Sequence, residues 1–163
     1  MAGATESTAR NPFHRRFVAH IDIHADVATG WRVLTDLASY PEWNPLLRQV
    51  RGGTTRGSIL RLRVAKRLGA DDTAPLLARV RARMPESELA WGGGIPGLLD
   101  VHHFFRFRPL PDSQGTRGFR FIHGEIFRGA LLPLLWPIVG PRIVTDNYVA
   151  VNEAFKARCE REP

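Results

Sequence analysis

Phe119-Arg120-Phe121-Ile122-His123-Gly124-Glu125-Ile126-Phe127 repeats with a period of two. In an extended chain Phe119, Phe121, His123, Glu125 and Phe127 share one side, while Arg120, Ile122, Gly124 and Ile126 share the other. The preceding run has the same rhythm: Val101, His103, Phe105 and Phe107 alternate with His102, Phe104, Arg106 and Arg108. Upstream, Leu60, Leu62 and Val64 alternate with Arg61 and Arg63, and Ala78, Val80, Ala82 and Met84 with Arg79, Arg81 and Arg83. Turn signals separate the runs at Gly52-Gly53, Arg56-Gly57, Gly69 to Thr73, Pro85-Glu86, Gly92 to Gly97 and Pro109 to Gly118. Strands joined by short turns make an antiparallel meander with one dry face and one arginine-rich wet face.

Working outward, Phe17, Ala19, Ile21 and Ile23 alternate with His20, Asp22 and His24, which predicts another half-buried strand. A helix is predicted from about Asp26 to Leu37, with Asp26 as its cap and Val27, Trp31, Leu34 and Leu37 as its apolar stripe. Tyr40-Pro-Glu-Trp-Asn-Pro45 reads as a turn or short second helix. After Pro133, Pro137 and Pro141, which predict a shorter leading helix, no Gly or Pro interrupts Arg142 to Arg158. There Ile143, Asn147, Val151 (or Ala150), Ala154 and Arg158 recur at helical spacing. A long helix after a curved sheet must bury its stripe, and the concave dry face is the one surface large enough. The predicted fold is therefore α+β: a helix-grip domain at 13–160, with about seven strands in the order β-α-α-β6-α wrapped around a C-terminal helix. Residues 1–12, small and polar, read as a flexible arm rather than a signal peptide.

The chain has 163 residues and a net charge of +7, and Lys66 and Lys156 are its only lysines. Arginine supplies the other 21 (23 − 2) basic residues, and most of those on strands fall on the wet face. A nucleic-acid platform would interleave aromatics among them for stacking, and Phe104 alone does so, so no specific nucleic-acid partner is expected. A lone Cys159 excludes an internal disulfide and suggests a reducing cytoplasm. Gly129 to Gly140, the longest apolar stretch, is too short and too broken by proline for a transmembrane segment. Monomer and homodimer both stay open.

Five segments carry a family resemblance. Ala25-Asp-Val-Ala-Thr-Gly-Trp-Arg-Val-Leu-Thr-Asp-Leu-Ala-Ser-Tyr-Pro-Glu-Trp-Asn-Pro45 resembles the opening helices of the SRPBCC or START-like superfamily. His103-Phe-Phe-Arg-Phe, Gly115-Thr-Arg and His123-Gly-Glu-Ile-Phe-Arg-Gly129 resemble its last two strands, and Asn152-Glu-Ala-Phe-Lys-Ala-Arg resembles its closing helix. The superfamily includes bacterial polyketide cyclase/dehydrase-like proteins, plant pollen-allergen proteins and lipid-transfer domains. The resemblance implies a cavity for a small hydrophobic ligand between sheet and helix. Binding, catalysis and transfer all occur on this scaffold, so the fold alone does not choose among them.

Strand parity puts His103, His123 and Glu125 on the dry side, where polar groups are costly unless hydrogen-bonded. Either they satisfy one another at the sheet rim, or they orient a ligand in an apolar pocket; by analogy with cyclases they are also candidate acid/base groups. Trp43, Leu62, Val80, Trp91, Phe105, Phe121, Trp136 and Asn147 are candidate ligand-binding residues, with Gly92 to Leu99 as a mobile lid. A metal site from His103, His123 and Glu125 needs their side chains to converge, and the Cys-x-x-Cys partner of a deaminase-type site is missing, so no metal is expected. No cofactor motif and no nucleophile elbow occur.

Overall fold

Residues 3–7, 11–111, 118–139 and 145–161 are described by a computed structural model. Strand β1 (Gly3–Ser7) is followed by β2 (His14–Ile23), α1 (Val27–Thr35), a 3-10 turn (Leu37–Ser39) and α2 (Tyr40–Trp43). Then come β3 (Leu47–Arg51), β4 (Ile59–Ala65), β5 (Thr73–Met84), β6 (Glu88–Ile95), β7 (Leu99–Pro109) and β8 (Phe119–Arg128), before α3 (Leu132–Val139) and α4 (Thr145–Cys159). All neighbours are antiparallel, in the order β1-β2-β8-β7-β6-β5-β4-β3. The strands from β2 to β3 form a curled half-barrel that grips α4, which is the helix-grip arrangement. No helix among the described residues is long and apolar enough to cross a membrane.

Local chemistry explains the turn into the sheet. Tyr40 is fully buried and its hydroxyl donates to the Leu34 carbonyl (2.8 Å), which ties α2 back to α1. The side-chain oxygen of Asn44 then accepts from the backbone N–H of Leu46 and of Leu47, at 2.9 and 2.8 Å, and turns the chain into β3. Gly30, inside α1, lies where a Cβ would stand 2.5 Å from the Phe119 ring and 2.9 Å from that of Phe107. The missing side chain lets α1 settle on the ends of β7 and β8.

Several expectations need correction. Gly3–Ser7, predicted to be flexible, pairs with β2; an edge strand is held by backbone hydrogen bonds and needs no apolar rhythm to announce it. Gly92 to Gly94, read as part of a lid, belong to β6 and pair in turn with His102, Val101 and Asp100 of β7. A Cβ at Gly92 would stand 2.0 Å from the Val101 carbonyl and 2.9 Å from the Arg81 guanidinium, so glycine here serves close approach rather than mobility. A bulge between Val80 and Ala82 flips the parity of the end of β5. Arg83 therefore pairs with the buried Leu89 and holds its guanidinium 5.6 Å from the Trp31 ring, whereas Met84 is exposed.

The wet face is better paired than its scarcity of acids suggests: Arg120 meets Asp22, Arg106 meets Glu88, and Arg81 reaches across Gly92 to Asp100. Phe104, predicted to lie exposed there, is buried. Its ring covers Gly124 and lies under the Arg106 guanidinium, 4.5 Å away. On α4 the buried stripe is Tyr148, Val151, Asn152, Phe155 and Cys159, one step from the predicted one. Ile143 and Gly115-Thr-Arg lie outside the described residues.

Candidate functional site

The concave face divides along the strand direction. In one half Phe119, Phe121 and Phe107 meet Phe155 of α4 and Trp31 of α1, and the space is filled. Phe121 stacks on Phe155 with centroids 4.2 Å apart. At the other end Phe17, Phe127, Leu132 and Tyr148 form a second cluster, closed by Trp136 of α3. Between the two clusters lies a cavity of about 470 Å³. Leu62, Val64 and Ala65 of β4, Leu76 to Ala78 of β5 and Trp91 of β6 line one side; His103, Phe105, His123, Glu125 and Phe127 line the other, under Asn147, Tyr148 and Val151 of α4.

Of the candidate ligand-binding residues, Leu62, Trp91, Phe105 and Asn147 line this cavity. Trp43, Val80, Phe121 and Trp136 do not. Val80 and Phe121 belong to the packed half, and Trp43 lies between Tyr40 and Phe155. Trp136 stacks on Phe17 (5.6 Å) beneath the Arg15 guanidinium and supports the far wall. Parity tells which side of a sheet a residue faces, but not where along the strand the helices leave it uncovered.

His103, His123 and Glu125 do converge. His103 and Glu125 are direct cross-strand partners, and His123 is the diagonal neighbour. The two Nε2 atoms face each other at 2.9 Å, and His103 Nδ1 stands 3.5 Å from Glu125 Oε1. Two residues of α4 complete the set: the Tyr148 hydroxyl donates to Glu125 Oε2, and Asn152 Oδ1 lies 3.2 Å from His123 Nδ1. Neither was anticipated, although Tyr148, Asn152 and Phe155 fall four and three apart, the spacing that brings a helix face together. Trp91 stacks flat on His103, 5.3 Å between centroids.

The row runs from the cavity inward. The His103 and Glu125 side chains keep 18% and 17% exposure, whereas His123 and Asn152 are buried. Burial holds the His123 imidazolium well below the usual histidine range, the neighbouring His103 adds to this, and the bond to Asn152 opposes it. Burial, and then the adjacent Glu125 carboxylate, push the Tyr148 hydroxyl well above its ordinary value, so it stays a donor. Among the described residues no group of three or more His, Cys, Asp or Glu is arranged to hold a metal ion. The arrangement can hydrogen-bond a polar atom of a guest at the His103–Glu125 edge, or exchange a proton with it.

No curated protein sequence matches this chain. The Zhui aromatase/cyclase from a Streptomyces strain superposes with a TM-score of 0.67 at 18% identity, covering 91% of this chain and 94% of that one. A START superfamily protein from Mycobacterium smegmatis gives 0.68 at 16%, covering 91% and 99%. Truncated norcoclaurine synthase from Thalictrum flavum gives 0.66 at 14%, covering 92% and 96%. At these identities the likeness shows a shared fold. The family model described as polyketide cyclase/dehydrase and lipid transport matches residues 14–160, nearly the whole chain, and the protein belongs to that family.

Proposed function

We propose that the protein binds a small, largely apolar or aromatic molecule, polyketide-like or lipid-like, in the cavity between sheet and α4. The observation that carries this reading is an apolar hollow of about 470 Å³ with its ionisable groups gathered on one wall, the usual build of a ligand site. Leu62, Trp91 and Phe105 supply apolar contact, while His103, Glu125 and Asn147 orient a polar end. The buried Cys159 fits a reducing cytoplasm.

A second reading is favoured by the partly exposed His103–Glu125 pair, an acid and a base at one edge. It makes the protein a cyclase- or dehydratase-type enzyme that folds its substrate in the cavity and moves a proton there. Native mass spectrometry of freshly purified protein is expected to show a co-purified small molecule, or uptake of 1-anilinonaphthalene-8-sulfonate after its removal. A chain that carries nothing and takes up no probe overturns both readings. Once the molecule is identified, His103→Gln, His123→Gln and Glu125→Gln separate them. Loss of turnover at kept affinity marks an enzyme; loss of affinity without turnover marks a binder.

A further inference from the structure

The row Asn152–His123–His103–Glu125–Tyr148 obeys a strict proton count. The 2.9 Å between the two Nε2 atoms admits one proton, because two N–H groups cannot face each other there and two bare nitrogens repel. If that proton sits on His123, the Nδ1 of His123 is bare in the neutral ring and needs a donor. If it sits on His103, His123 must carry its proton on Nδ1 and needs an acceptor. The group facing Nδ1 is the side-chain amide of Asn152, fully buried, which offers oxygen on one side and NH2 on the other.

We propose that Asn152 is the positioning residue that locks the charge at the cavity edge to the tautomer of the buried His123. In the first arrangement Asn152 turns its NH2 to His123, His123 donates through Nε2, and neutral His103 donates through Nδ1 to the Glu125 carboxylate. In the second Asn152 presents Oδ1, His123 donates through Nδ1, and His103 Nε2 donates to His123. A further proton then sits on the His103–Glu125 edge, as an imidazolium beside a carboxylate or a neutral ring beside a carboxylic acid. The tally is two ring protons in the first and three on the same groups in the second, so the change takes up one proton from water. The displaced protons exchange with solvent when the pair opens; the coupling concerns the end states.

The heavy-atom placement matches the second arrangement: Oδ1 faces His123, and the Asn152 NH2 is buried without a hydrogen-bond partner among the described residues. That unpaired NH2 is what the first arrangement satisfies. Other groups facing the edge do not compete: Trp91 from β6 and Phe105 from β7 are uncharged, and Tyr148 of α4 donates in both arrangements. The consequence deepens the reading of the cavity as a ligand site. One wall meets a guest either as an acceptor, through the carboxylate, or as a donor, through the added proton. It suits a guest whose polar end is a phenolic hydroxyl in one form and a carbonyl in another, without charge on the buried ring.

The test needs no ligand, so it fails or succeeds apart from the reading of the cavity. Long-range proton–nitrogen NMR of protein carrying nitrogen-15 histidine reports both ring nitrogens across pH 5 to 8. The expected result is a neutral His123 that changes from an Nε2–H to an Nδ1–H signature as pH falls, at the midpoint at which the His103 signals change. Asn152→Asp, as the carboxylate, offers only acceptors, so His123 is expected to stay Nδ1–H throughout, and the midpoint at the edge to rise by about one pH unit, a tenfold gain in proton affinity. A wild-type His123 with one tautomer throughout the His103 titration overturns the proposal, whether or not the variant folds. So does a folded Asn152→Asp protein with the wild-type midpoint.

Discussion

Ala78 lies on the inward side of β5, buried in the wall of the cavity, with open space rather than a helix above it. Ala78→Phe is expected to abolish uptake of 1-anilinonaphthalene-8-sulfonate and to shift the thermal midpoint by less than about 3 °C, roughly 1 kcal/mol at this size. Fluorescence titration and circular-dichroism melting measure the two effects; a solid interior would instead give the overpacking loss of about 1–3 kcal/mol. Phe155, fully buried against Phe121 and Trp43, is the contrasting case. Phe155→Ala is expected to cost about 3–5 kcal/mol in urea unfolding, because no neighbour is free to fill the gap. The same contrast explains what could be read residue by residue. The inward aim of His103, His123 and Glu125 followed from parity alone, but that Phe121 is covered rather than lining the cavity depended on where α4 lands.

At the scale of the element, α1 trades propensity for fit. Alanine is the better helix former by about 1 kcal/mol, yet Gly30 seats two phenylalanine rings that an added methyl would strike. Gly30→Ala is therefore expected to lower stability by about 1–3 kcal/mol, measured by urea unfolding; a gain in stability would show that the rings yield. Strands β2, β4, β5, β7 and β8 were legible because their residues alternate between a wet and a dry side, whereas β6, where buried residues run on without alternation, was read in part as a lid. The stripe of α4 was harder to read: its N-terminal half faces a cavity wall of polar groups, so Tyr148 and Asn152 do not stand out as apolar. The small, polar Gly3–Ser7 gave no signal for β1, and the bulge in β5 left none in its alternation either.

Across the whole molecule, acidification meets a histidine that resists its proton. Unfolded, His123 takes up a proton below about pH 6.5; folded, burial lowers that value, so the unfolded chain holds more protons and stability falls as pH drops through this window. The expected slope approaches about 1.4 kcal/mol per pH unit between pH 6 and 5, read from urea unfolding at a series of pH values. Asp22, held low by its hydrogen bonds to Arg120, and Asp100, held low by Arg81, extend the loss at more acid pH. A flat profile from pH 7 to 5 would contradict the dry setting of the imidazole pair.

The hollow has its aliphatic wall on the β4–β5 hairpin and its proton-bearing wall on the β7–β8 hairpin, with β6 between them. Two traits are thereby written on separable pieces of chain. Substitutions on the first hairpin can therefore change the length and width of the hollow while the second hairpin, with His103, His123 and Glu125, stays as it is.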